Sequence, residues 1–277
     1  MKMKIRLGTS GIPISTKGNS TIDGVKRVAE LNLNALEVSF THGIHMSIPT
    51  AKELGKVAKD LDVELSIHVP YFVNLASEDK KIVEASKKRI IDSLERGVAM
   101  EANIVAVHAG YYGKDKKFSS LMIFNTCKEI DELIEKNEWK IEFGLETMGK
   151  QKVWGTLDEI IDLCKKLRHV VPYLDPAHIY ALNGGYVDYK DIFDKLEVLK
   201  LDKIHSHFSG IKYSLVGIGR GNEKQHVPIK TSGISFEEYA KEILKRKIDI
   251  TIISESPILE VDSLKMKEIF EKLGYKF

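Results

Sequence analysis

Eight short apolar runs, each followed by a stretch of helical periodicity, set the main limit on how this 277-residue chain can fold. The runs lie at residues 5–7, 35–40, 64–69, 104–108, 141–146, 170–174, 203–208 and 250–255. Helical patterns occupy 22–31, 51–61, 80–100, 120–135, 157–167, 189–196 and 236–244, and 264–273 closes the chain. Largely apolar strands are those of parallel sheets covered by helices on their faces, and eight such units close economically into a barrel. The expectation is an α/β chain forming a single (β/α)8 TIM barrel over 1–277, with no linker long enough to divide it. An open doubly wound sheet is the rival, but Gly8-Thr9-Ser10-Gly11 does not complete the glycine-rich phosphate turn that such a sheet often carries. Thr50 with Glu53, Thr156 with Glu159 and Ser235 with Glu238 read as capping boxes that open three of the helices.

Composition narrows the function classes. With 42 basic and 40 acidic residues, a nucleic-acid ligand would have to be held by a local patch rather than by a general field. The two cysteines, Cys127 and Cys164, fall in separate helical patterns and fit neither a zinc ribbon nor a disulfide framework. The first residues run straight into a strand with no apolar leader, and no later run of about 18 apolar residues follows. A soluble, cytoplasmic monomer with no membrane association is expected.

A barrel enzyme builds its site at the C-terminal ends of the strands, and there the chain concentrates imidazole and carboxylate. Six of the nine histidines fall at or just past strand ends, and with three acidic residues they form the series His68, His108, Glu146, Asp175, His178, His205 or His207, His226 and Glu255. Without cysteine, such donors suit a catalytic metal site more than a structural one. Asp175-Pro176-Ala177-His178 can serve two positions from one short segment, although Asp175 can also cap the next helix. Glu146 and Glu255 end apolar strands, where an unpaired charge is costly, so each needs a cation or several donors. His205 and His207 share one face of their strand because side chains alternate with period 2; His207 is nearer the strand end and is preferred. His226 lies in segment 210–233, too long for an ordinary connection, with Glu223 as a carboxylate partner. His42 and His45 read as loop residues near the mouth, and His169 as structural, on the opposite face. After His68 come Tyr71 and Phe72, adjacent aromatics that can stack on bases or wedge a duplex open.

With these residues in place, the whole chain resembles the endonuclease IV family of apurinic/apyrimidinic endonucleases, within the xylose-isomerase-like barrels. The family follows a histidine three residues later with a tyrosine and then an asparagine–leucine pair, as His68, Tyr71, Asn74 and Leu75 do here. His108-Ala109-Gly110, Leu145-Glu146, Asp175 with His178, and Glu255 match further family motifs. The resemblance implies hydrolysis of the phosphodiester 5′ to an abasic site in double-stranded DNA, a DNA-repair reaction, with Glu146 at the catalytic centre. It implies two or three zinc ions, with manganese able to replace them. The first would be held by His68, His108 and Glu146, and the second by Glu146, Asp175, the seventh-strand histidine and Glu255. The third would be held by His178, His226 and one more ligand. The family has an aspartate two residues before the last histidine, where this chain has Lys224 and offers Glu223 one residue further back. The alternative is a sugar isomerase or epimerase of the same barrel group, using Glu146, Asp175, His205 or His207, and Glu255 around one divalent metal.

Overall fold

The fold is described by a computed structural model covering residues 3–41 and 43–277. In chain order the elements are β1 (Ile5–Ser10), α1 (Thr21–Glu30), β2 (Ala35–Ser39), α2 (Ile48–Asp60), β3 (Glu64–His68), α3 (Lys80–Ala99), β4 (Ile104–Val107) and α4 (Lys116–Lys136). There follow β5 (Glu142–Glu146), α5 (Leu157–Cys164), β6 (Val170–Leu174), α6 (Pro176–Leu182), α7 (Tyr189–Leu196) and β7 (Ile204–Phe208). The chain ends with β8 (Gly210–Gly217), β9 (Arg220–Val227), α8 (Phe236–Arg246), β10 (Ile250–Ser254) and α9 (Glu260–Lys272). Strands β1 to β7 and β10 form a closed parallel barrel in which β10 pairs with both β7 and β1. All eight expected strands are present, and the chain has the (β/α)8 fold.

Two cores follow from strand alternation. Outward residues such as Leu7, Leu36, Ile67, Val105 and Leu145 pack beneath the helices in the main cluster. Inside the barrel, Ile104, Ala106, Val171 and Tyr173 form a small second cluster. Gly144 makes room for it, since a Cβ there would come 2.8 Å from Ile104 and 3.1 Å from the Tyr173 ring.

The N-terminal end of the barrel is plugged by charge. Arg6 pairs with Asp62 at 2.6 Å and with Glu64 at 3.2 Å, and Lys203 and the Thr251 hydroxyl also bond to Glu64. His205 belongs to this end, buried, with its Nε2 3.8 Å from Glu142.

One element was not expected, and another realises the capping role open to Asp175. Segment 210–233 is not a bare loop: β8 and β9 form an antiparallel hairpin whose turn holds Gly219 at φ +63°. Its strands are mixed and partly exposed, so neither shows the apolar run that marks the barrel strands. The helix α6 begins immediately after β6, with Asp175 as its N-cap and Pro176 in its first turn. Capping differs in detail. Ser47, not Thr50, caps α2 and accepts from the Thr50 N–H, because Pro49 is accommodated within the first helical turn. Thr156 and Glu159 do form a capping box, as do Ser20 and Asp23. Ser235 caps α8, while Glu238 turns to Lys241 at 2.9 Å. Among the described residues no helix is long and apolar enough to cross a membrane.

Candidate metal centre

Strand geometry collects the expected donors at the C-terminal mouth. Glu146, at the end of β5, is 1% exposed and lies at the middle of the group. Its Oε2 is 3.2 Å from His68 Nε2 and 3.0 Å from His108 Nε2. Its Oε1 is 3.2 Å from His207 Nδ1 and 3.3 Å from His178 Nδ1. One carboxylate therefore faces the third and fourth strands with one oxygen and the sixth and seventh with the other. His207 Nδ1 is also 3.4 Å from Glu255 Oε2, and His226 Nε2 lies 3.7 Å from that same oxygen.

Three sets of donors are close enough to hold a cation, each with its ligand atoms within 4.8 Å of one another: His68, His108 and Glu146; Glu146, Asp175, His207 and Glu255; and Asp175, His178 and His226. Glu223, on β9, approaches His178 from the outer side, with Oε2 2.9 Å from Nε2, and its Oε1 is 3.1 Å from Lys150. Its backbone N–H donates to the Gly149 carbonyl, and a Cβ on Gly149 would lie 2.2 Å from Glu223 Oε2, so the hairpin and the loop after β5 meet only because residue 149 has no side chain.

One carboxylate oxygen tests whether a cation fits. Asp175 Oδ2 is buried without a hydrogen-bond donor, with His178 Nδ1 3.4 Å away. Such an oxygen is costly in a protein interior unless a positive charge meets it. The donor set fits a divalent ion in both chemistry and position.

The imidazoles and carboxylates of the centre compensate one another's charge. Burial pushes the Glu146 carboxyl up, but the charges of His108 and His207 outweigh it and hold it well below the usual range. Burial opposes charge on His68, yet its hydrogen bond and attraction to Glu146 lift it to about 9. His207 and His178 are likewise lifted well above the usual range against burial, the first mainly by Glu255 and Glu37, the second mainly by Asp175 and Glu223. The carboxylates thus favour the charged form of the imidazoles beside them.

The remaining expected residues separate cleanly. His205 is not in the centre. It points into the barrel like His207 but one step deeper, where burial and Lys203 push its pKa down to about 4. Tyr71 leans over the centre, its ring centroid 5.5 Å from His68 and 5.9 Å from His108, while Phe72 stands at the rim, 68% exposed. Asn74 ties this loop to the next, its Oδ1 accepting from Ala76 and Tyr111 N–H groups at 3.2 and 3.3 Å. His45 is exposed beyond β2, His42 lies outside the described residues, and His169 is at the opposite face, 2.5 Å from Glu135. Sequence reasoning missed Glu37, on β2, which is fully buried and bonded to His207. The available signal was a carboxylate in the middle of the run Ala35-Leu36-Glu37-Val38. It also missed Ser209, whose hydroxyl lies 2.6 Å from His226 Nδ1.

The centre opens into a cavity of about 260 Å3 lined by Tyr71, His108, Tyr111, Met148, Lys150, His178, Glu223, His226 and Glu255, among others. Exposed basic residues Lys114, Lys150, Lys152, Arg220 and Lys224 lie on the loops and hairpin of this face.

Residues 25–271 match the family described as xylose isomerase-like TIM barrel. The chain belongs to that family. An uncharacterized protein of Methanocaldococcus jannaschii is 31% identical over 275 residues, covering 96% of this chain and 97% of its own. A probable endonuclease 4 of Aster yellows witches'-broom phytoplasma is 27% identical over 250 residues, covering 82% of each. Among solved structures, a D-tagatose 3-epimerase-like protein has a TM-score of 0.75 at 22% identity, with 98% of this chain and 96% of that one covered. At that identity the structural likeness speaks for the fold alone. The family is one of enzymes, and a relative of this chain by sequence carries a nuclease name.

Proposed function

We propose that this chain is a metal-dependent endonuclease that hydrolyses the phosphodiester 5′ to abasic sites in DNA. The observation that carries the reading is the presence of three donor sets linked through Glu146 and Asp175. A single divalent ion would be satisfied by Glu146, Asp175, His207 and Glu255, leaving His68, His108, His178 and His226 without a task. Divalent ions bound there, zinc or manganese, would activate an attacking water, neutralise the phosphate oxygens and stabilise the departing alkoxide. Glu146 would join two of these positions, and Asp175 and Glu255 would balance their charge. Lys150, Lys152 and Lys224 would attract the phosphate backbone, and Tyr71 and Phe72 would stack on bases displaced at the lesion. The relative named as a probable endonuclease 4 supports this reading.

A second reading, a sugar epimerase, is favoured by the likeness to the epimerase-like structure and by the completeness of the four-donor set on its own. One experiment separates them. Purified protein supplied with zinc or manganese is incubated with duplexes with and without an abasic site, and its metal content is measured. Incision only at the abasic site with nearly three ions per chain is expected; no incision, about one ion and turnover of a ketose would establish the epimerase.

A further inference from the structure

Glu37 is fully buried inside the barrel but belongs to none of the three donor sets. Three donors surround it. Ser10 Oγ donates to Oε1 at 2.8 Å, Tyr173 Oη donates to Oε2 at 3.0 Å, and His207 Nε2 lies 3.1 and 3.0 Å from the two oxygens. The other nitrogen of that ring, Nδ1, faces Glu146 Oε1 at 3.2 Å and Glu255 Oε2 at 3.4 Å.

A neutral imidazole carries one N–H and one lone pair, and the partner of the N–H decides where the lone pair points. Three other histidines of the centre have Nδ1 occupied by an ordinary polar partner. His68 Nδ1 meets the Val69 carbonyl at 2.8 Å, His178 Nδ1 the Thr147 carbonyl at 2.9 Å, and His226 Nδ1 the Ser209 hydroxyl at 2.6 Å. His68 and His226 turn Nε2 to carboxylates of the site, and His178 turns Nε2 to Glu223, although its Nδ1 also lies 3.3 Å from Glu146 and 3.4 Å from Asp175. His207 is reversed, and a full carboxylate holds its Nε2.

We infer that Glu37 is a positioning residue that fixes His207 as an Nδ1 ligand for the ion held with Glu146, Asp175 and Glu255. This rests on the metal reading of the site, and on neither choice of reaction. A carboxylate behind a ligating imidazole fixes its ring orientation and strengthens its donor nitrogen, and loss of such a partner typically costs about 10–100-fold in metal affinity.

The test is Glu37→Gln, which preserves size and removes the charge. Zinc affinity is measured by chelator competition, zinc content after dialysis, and folding of the metal-free forms by circular dichroism. The expected result is one ion fewer per chain, with that ion bound roughly 10–100-fold more weakly and the others retained. A long-range 15N–1H NMR spectrum of the zinc-loaded wild type should show the His207 proton on Nε2, and this measurement decides the matter should E37Q not fold. Wild-type affinity and stoichiometry in E37Q, or a His207 proton on Nδ1, overturns the inference alone. A wild type that takes up no zinc overturns the metal reading and this inference with it.

Discussion

Asp175 divides two tasks between its two oxygens. Oδ1 accepts from the His178 N–H at 2.9 Å and caps α6, while Oδ2 stays buried without a hydrogen-bond donor and is available to a cation. Capping and metal binding, which compete as explanations when only the sequence is read, are compatible because a carboxylate has lone pairs for both. Glu146 also balances the charge of the imidazoles around it. Glu146→Gln should therefore keep the fold but lower the melting temperature of the metal-free protein, lower the metal content, and reduce abasic-site incision by at least about 100-fold, since even partners behind the ligands cost 10–100-fold. Retention of both metal content and activity would remove the shared-carboxylate core. His68, His108, Glu146 and Asp175 could be found from sequence because each sits where an apolar run ends. His205 and His207 could not be ranked securely, since period-2 alternation gives the face of a strand and not the depth within the barrel. Glu37 went unread because one carboxylate inside an apolar run has no local pattern; its partners Ser10, Tyr173 and His207 come from three other strands.

At the scale of elements, the loop after β3 and the β8–β9 hairpin face the same cavity with different chemistry. The β3 loop brings Tyr71 and Phe72, 55% and 68% exposed, and neither belongs to a donor set. If they stack on bases, each contributes roughly 1–3 kcal/mol, so replacing both with alanine should weaken binding to an abasic duplex by about tenfold or more while metal content stays unchanged. Equal binding by the double variant, measured by fluorescence anisotropy, would show that the loop only roofs the centre. The hairpin brings Glu223 and His226, and Arg220 and Lys224 lie on its exposed side. The length of segment 210–233 marked it as functional, but its strand character was hidden because its pairing needs only its own two halves and no apolar face along the barrel.

At the scale of the molecule, the two ends of the barrel answer differently to pH. His205, fully buried in the charged plug, titrates at about 4 because burial and Lys203 disfavour its protonated form. An unfolded histidine titrates near 6.5, so the proton prefers the unfolded chain. Stability from this residue is complete above about pH 6.5 and is lost as pH falls toward 4, amounting to on the order of 3 kcal/mol. His205→Gln, neutral throughout, should flatten that part of the stability curve in urea titrations, and an unaltered slope would place the acid sensitivity elsewhere. The plug has a geometric consequence as well. Arg6, Glu64 and Lys203 seal one end, and the cavity at the centre, about 260 Å3, falls below the roughly 300–1,000 Å3 of common ligand pockets. The barrel is a blind well. A long substrate must lie across its rim, turn one short piece inward, and withdraw that piece by the way it came.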